Sequence, residues 1–165
     1  MCMKLRRLMD KDAELMLEWM HDENVVSNLG KDFRHMTIMD CRDFIRNAEN
    51  DKTNIHYAIV DDSDEYLGTI SLKNVNYDGK CAEYAISCRS KAIGHGYASA
   101  ATKQLFDLAY EKFGLTMLYL DVYDFNVRAQ KMYEKIGFVR VEKPSFLTGE
   151  YDDRLLWYQI TLPKN

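Results

Sequence analysis

At 165 residues the chain has room for one sizeable core and too little for two ordinary domains, so residues 1–165 are expected to form a single domain. Apolar residues make up 47% and charged residues 29%, with two prolines, which excludes a disordered or fibrous chain. A net charge of -4 excludes the broad basic face that nucleic acid demands, and four cysteines without C-x-x-C spacing indicate neither a metal site nor a redox pair. No uncharged stretch approaches the ~20 residues needed to cross a bilayer, and the opening "MCMKLRRLMDKDAELM" lacks the apolar run of a signal peptide. The expectation is a cytoplasmic protein with neither membrane nor nucleic acid as partner.

In chain order, "MKLRRL" reads as a short strand, and Asp10 as the cap of a first helix whose face carries Ala13, Met16, Leu17 and Met20. Thr37 with Asp40 resembles a capping box, followed by Cys41, Phe44, Ile45 and Ala48 on one face of a second helix. The period then changes. "NIHYAIV", "YLGTISLKNV" and "CAEYAISC" are β-rich runs separated by the turn formers "DDSDE" and "NYDGK", which predicts three consecutive antiparallel strands.

After the stretch "KAIGHGYASAATKQLF", Ala98, Ala101, Leu105 and Leu108 outline a helix that Gly114 ends, and "LTMLYLDVY" is an apolar strand of the buried kind. Ala129, Met132, Tyr133 and Ile136 mark another helix, closed by Gly137, before the strands "FVRV" and "RLLWYQITL". The order β-α-α-β-β-β-α-β-α-β-β predicts an α/β (α+β) fold: a mixed, mostly antiparallel twisted sheet of seven strands with four helices on its faces. The strands flanking the glycine loop and its helix should be parallel neighbours joined by a right-handed crossover.

A side-chain-poor loop between a strand and a helix N-terminus suits an anion, since the first helical N–H groups lack internal partners and the helix dipole places positive charge there. A dinucleotide is one such anion, with Asp121 as the ribose-binding acid. Against it, "RSKAIGHG" is long for a Rossmann turn, Ser99 occupies the third glycine position, and no second mononucleotide-binding half is present.

The pair "KAIGHGYASAA" and "NVRAQKMYEKIGF" resembles the acetyl-CoA-binding region of the Gcn5-related N-acetyltransferases, through Gly94 and Gly96, then Asn126, Ala129, Tyr133, Gly137 and Phe138. Lys91 stands where that family has Gln or Arg, keeping a donor near the pyrophosphate without the planar fork. The opening "LRRLMDKDAELMLEWMHDENVV" and closing "FLTGEYDDRLLWYQI" are similar to the branch holding ribosomal-protein N-terminal, spermidine and amino-sugar acetyltransferases.

The resemblance implies transfer of an acetyl group from acetyl-CoA to a primary amine: a polyamine, an amino sugar, an aminoglycoside or a peptide N-terminus. It places the pyrophosphate on the loop of Lys91, Gly94, His95, Gly96, Tyr97 and Ala98, and the pantetheine arm along Ile86, Ser87 and Cys88, bound through their main chain. Tyr133 becomes the acid for the departing thiolate, although its apolar face also fits plain core. Asn126 caps its helix and contacts the cosubstrate or the amine. Glu83, sharing a strand face with Ala85 and Ser87, is the base, or else an ordinary strand carboxylate. His95 and His56 are further base candidates. Cys88 invites an acyl-enzyme, but no His with Asp or Asn is arranged to activate it, so direct attack by the amine is preferred. Trp19, Asp22, Glu23, Phe33, Glu150 and Tyr151 are the acids and aromatics available to hold a cationic acceptor, or else ordinary surface acids and core aromatics. The alternatives are a silent acyl-CoA-binding or regulatory module and a dinucleotide-binding enzyme, and the family analogy adds a homodimer.

Overall fold

Strand β1 is Met3–Arg7, and a buried acid, Asp12, shapes the turn after it. A computed structural model describes residues 2–164. Asp12 accepts Met9 N–H at 2.8 Å and holds the Arg6 guanidinium with both oxygens at 2.8 Å. Asp10 instead begins a 3-10 turn, Asp10–Asp12, so the acid closing the foot of helix α1 (Ala13–Met20) is Asp12 and not the expected Asp10. Helix α2 (Glu23–Val26), capped by Asp22 through Asn24 N–H, was not expected, because four residues are too short to display a period. Helix α3 (Ile38–Ala48) starts with the expected capping box: Asp40 N–H donates to Thr37 Oγ1, and Thr37 N–H to Asp40 Oδ2.

The strands β2 (Ile55–Asp61), β3 (Tyr66–Asn76) and β4 (Cys81–Cys88) form the antiparallel trio expected. Helix α4 (Tyr97–Glu111) leads to β5 (Met117–Tyr123), helix α5 (Val127–Ile136), β6 (Val139–Val141) and β7 (Leu155–Thr161). The seven strands make one sheet in the order β1-β2-β3-β4-β5-β7-β6, and β4 and β5 are parallel.

Two layers cover the sheet. Under α4 and α5, Ile70, Leu72, Ala82, Tyr84, Leu118, Leu120 and Val122 join Leu105, Phe106, Tyr133 and Ile136 in one core. On the other face α1 and α3 pack Met16, Trp19, Cys41 and Ile45 against Ala58, Val60 and Tyr66. These helices cover β2 and β3. The same face of β4, β5 and β7 is left to Glu83, Tyr119, Asp121 and Tyr123 and to the loops at 27–36 and 142–154.

Candidate active site

β4 and β5 are bonded over only three pairs, Cys81–Met117, Ala82–Leu118 and Glu83–Tyr119. Beyond Glu83, β4 stays paired to β3 as far as Cys88, and β5 stays paired to β7 as far as Tyr123. The two strands therefore part, and the main chain of residues 84–88 presents an unpaired edge to the gap. An unpaired edge of N–H and C=O groups seeks an extended partner. A cleft of about 770 Å³ fills the gap.

Its upper wall is the loop at the start of α4. Gly94 and Gly96 hold φ of +84° and +81°, a region that L side chains avoid, and a Cβ on Gly94 would meet nothing within 4 Å. Gly96 is the N-cap of α4 and offers no side-chain acceptor, so the first N–H groups of this 15-residue helix stay free. The loop is anchored from behind. Arg89, 6% exposed, binds Glu18 of α1 and donates to Tyr66 C=O at 2.8 Å, while Ser90 donates to Asp22.

The opposite wall belongs to α5. Asn126 caps it, accepting Ala129 N–H at 3.4 Å. Tyr133 lies edge-on to Tyr84 and Phe138, with ring centroids at 5.7 and 5.8 Å. Of the other buried tyrosines, Tyr84 bonds its hydroxyl with Thr102, Tyr66 with Trp19 and Thr69, and Tyr158 with Glu134. No hydrogen bond acts on the Tyr133 hydroxyl among the described residues. Burial, then the neighbouring Cys88 and Asp121, push its phenol well up, so it stays protonated at neutral pH.

The expected residues Glu83, Ile86, Ser87, Cys88, Gly94, Gly96, Ala98, Asn126 and Tyr133 all line this one cleft. Lys91, His95 and Tyr97 do not: Lys91 is ion-paired with Glu65, and His95 is exposed with its ring 6.4 Å from that of Tyr97. His56 sits elsewhere, on β2 under α3, where Nδ1 meets Ser71 Oγ at 2.6 Å and burial lowers its pKa to about 4. It lines a separate hollow of about 880 Å³ that none of the motif residues reaches. Trp19 is core, its indole N–H donating to Tyr66, and only Phe33 of the proposed aromatics joins the cleft wall. Burial raises the Cys88 thiol to about 12, which leaves it protonated and a poor nucleophile.

Asp121 was named in the sequence only as a ribose ligand. The structure sets it on the same sheet face as Glu83, two residues past Glu83's partner Tyr119, and both carboxylates line the cleft. That placement was hidden because the register of β4 against β5 is non-local. Gly30 was missed too. A Cβ there would lie 2.7 Å from Tyr123 Oη, so any side chain at position 30 would push the Tyr123 ring aside.

The profile of the acetyltransferase (GNAT) domain family matches residues 3–139. The chain belongs to the GNAT acetyltransferases. Among GNAT relatives, spermidine N(1)-acetyltransferase of Vibrio cholerae is 26% identical over 107 residues, 63% of this chain, and the match spans 62% of that relative's length. A crystal structure of spermidine N-acetyltransferase from Vibrio cholerae, in complex with CoA and spermine, superposes with a TM-score of 0.83 at 21% identity, covering 96% of this chain and 95% of the other. A dodecameric structure of the Vibrio cholerae enzyme gives 0.75 at 21% identity, covering 96% and 93%. These likenesses fix the GNAT fold. With β4–β5 as the parallel pair of an otherwise antiparallel sheet, the dinucleotide reading loses its architecture.

Proposed function

We propose that the whole chain acts as one catalytic domain, moving an acetyl group from acetyl-CoA directly to a primary amine. The observation that carries this reading is the convergence, in one cleft, of an unpaired strand edge, a helix N-terminus without a side-chain cap and a buried tyrosine ring whose hydroxyl has no hydrogen-bond partner among the described residues. The cleft fits the cosubstrate. The free N–H groups at Tyr97 and Ala98 suit a pyrophosphate, Gly94 leaves open space for its approach, and residues 84–88 offer main-chain partners to the amides of a pantetheine arm. Acetyl-CoA would supply an acyl group activated as a thioester.

The protein's part is positioning and proton handling. A main-chain N–H of β4 polarises the acyl oxygen. Tyr133 donates to the sulfur as it departs, and the inert Cys88 leaves the amine itself as the nucleophile. On the acceptor face, Glu83 and Asp121 are the carboxylates available to the amine, with Phe33 and Tyr123 as aromatic walls. Acids beside aromatics suit a cationic amine, and with spermidine acetyltransferases as relatives they favour a polyamine. Because a structure of this fold is dodecameric, the reading extends to self-association, which light scattering across protein concentrations tests.

The deciding experiment follows CoA release with a thiol reagent across polyamines, amino sugars, aminoglycosides and peptides with free N-termini. Release should depend on amine and be fastest with a polyamine. Tyr133→Phe should lower turnover by about 10²–10⁴-fold while acetyl-CoA affinity stays nearly constant. Acetyl-CoA binding without release on any amine would instead identify a silent acyl-CoA-binding module.

A further inference from the structure

Two carboxylates face the acceptor side of the cleft, and their surroundings differ. Glu83 is the last β4 residue bonded to β5, at the closed apex of the gap. Lys73, its partner across the β3–β4 ladder, pairs with it at 3.4 Å. Its charge is matched and its backbone is held on both sides. Asp121 stands two residues farther along β5 than Tyr119, past the last β4–β5 pair and on the same sheet face. It is half-buried, lines the cleft, and has no ion pair or side-chain hydrogen bond among the described residues.

We propose that Asp121 is the catalytic residue that takes the proton from the acceptor's ammonium, with Lys73–Glu83 as the pair that positions and conditions it. The proposal rests on the acetyl-transfer reading above. The charged groups facing Asp121 are Glu83 from β4 and Lys73 from β3. Tyr119 on its own strand and Tyr133 on α5 are the phenols that sense its charge, and on β7 it is paired with the uncharged Trp157. Burial first, and Glu83 second, raise its carboxyl to about 6, against a lowering by Lys73. A carboxylate so placed is ionised at neutral pH yet more basic than an ordinary one, which is what a base working near neutrality requires.

The proton balance closes on these side chains. An ammonium and a thioester become an amide, a thiol and one proton. An N–H bond of the ammonium breaks toward Asp121 and leaves its electron pair on nitrogen. That pair forms the C–N bond as the C–S pair departs on sulfur. Tyr133 gives sulfur a proton and is refilled by the second proton that nitrogen loses, and Asp121 returns its own to solvent.

The test compares wild type, Asp121→Asn and Glu83→Gln by the pH profile of kcat/KM with the amine that the panel finds best. Wild type without amine-dependent release would overturn the acetyl-transfer reading itself, and this proposal with it. With release established, Asp121→Asn should lose about 10²–10⁴-fold in kcat/KM while binding acetyl-CoA within about threefold of wild type by thermal shift. Glu83→Gln should keep turnover within about tenfold and move the acidic limb of the profile to lower pH, since removing a like charge lowers the Asp121 carboxyl. Turnover within about threefold of wild type in Asp121→Asn would overturn the proposal, as would a Glu83→Gln enzyme that is inactive or whose limb stays in place.

Discussion

Burial keeps the Tyr133 phenol protonated but works against the ionised form of Asp121, so an ionised Asp121 costs stability. Its carboxyl titrates higher in the folded chain, about 6, than its ordinary 3.8. The stability it contributes is therefore complete below about pH 4 and is lost as pH rises through about 6. Asp121→Asn should consequently melt higher than wild type at pH 7–8, with the gap closing by pH 4. Melting curves at a series of pH values check this, and a gap independent of pH would contradict the sign. Tyr133 and the two glycines were legible in the sequence because motif spacing reports them directly. Trp19 and His56 were left open between site and core because a residue type does not disclose its depth: one bonds Tyr66 in the core, and the other is buried against Phe44 and Ser71.

Among the elements, the strands were legible nearly residue for residue, since period two and the turn formers mark them clearly; β4 is the same Cys81–Cys88 run in both. What period alone cannot reveal is where a pairing stops, so the parting of β4 and β5 appears only in the structure. Two glycines beside this gap should respond differently to alanine. Gly94→Ala meets no neighbour and suffers only from its positive φ, for about 1–2 kcal/mol, with a larger loss of acetyl-CoA affinity as the loop is distorted. Gly68→Ala would set a Cβ 2.5 Å from Ser87 C=O on the strand lining the cleft, and backbone cannot give way cheaply. It should cost more than Gly94→Ala in chemical denaturation.

For the molecule as a whole, β1–β4 and β5–β7 are two half-sheets joined by three backbone pairs and by the shared core under α4 and α5. A ligand lying along residues 84–88 and at the start of α4 would tie both halves together. Acetyl-CoA at about 100 times its dissociation constant should raise stability by about 2.7 kcal/mol, read as a shift in melting temperature. Hydrogen exchange should slow most at residues 84–88 and 97–99, and uniform slowing would argue against a ligand seated in the gap.

The alternation of β4 and β5 also divides labour between the two sides of one sheet. Tyr84 and Val122 point to the core under α4 and α5, whereas Glu83, Asp121 and Tyr123 point to the opposite face, the side proposed for the amine. Adjacent residues thus serve separate faces. Replacing every second position would therefore remodel one face of the sheet and leave the packing of the other in place.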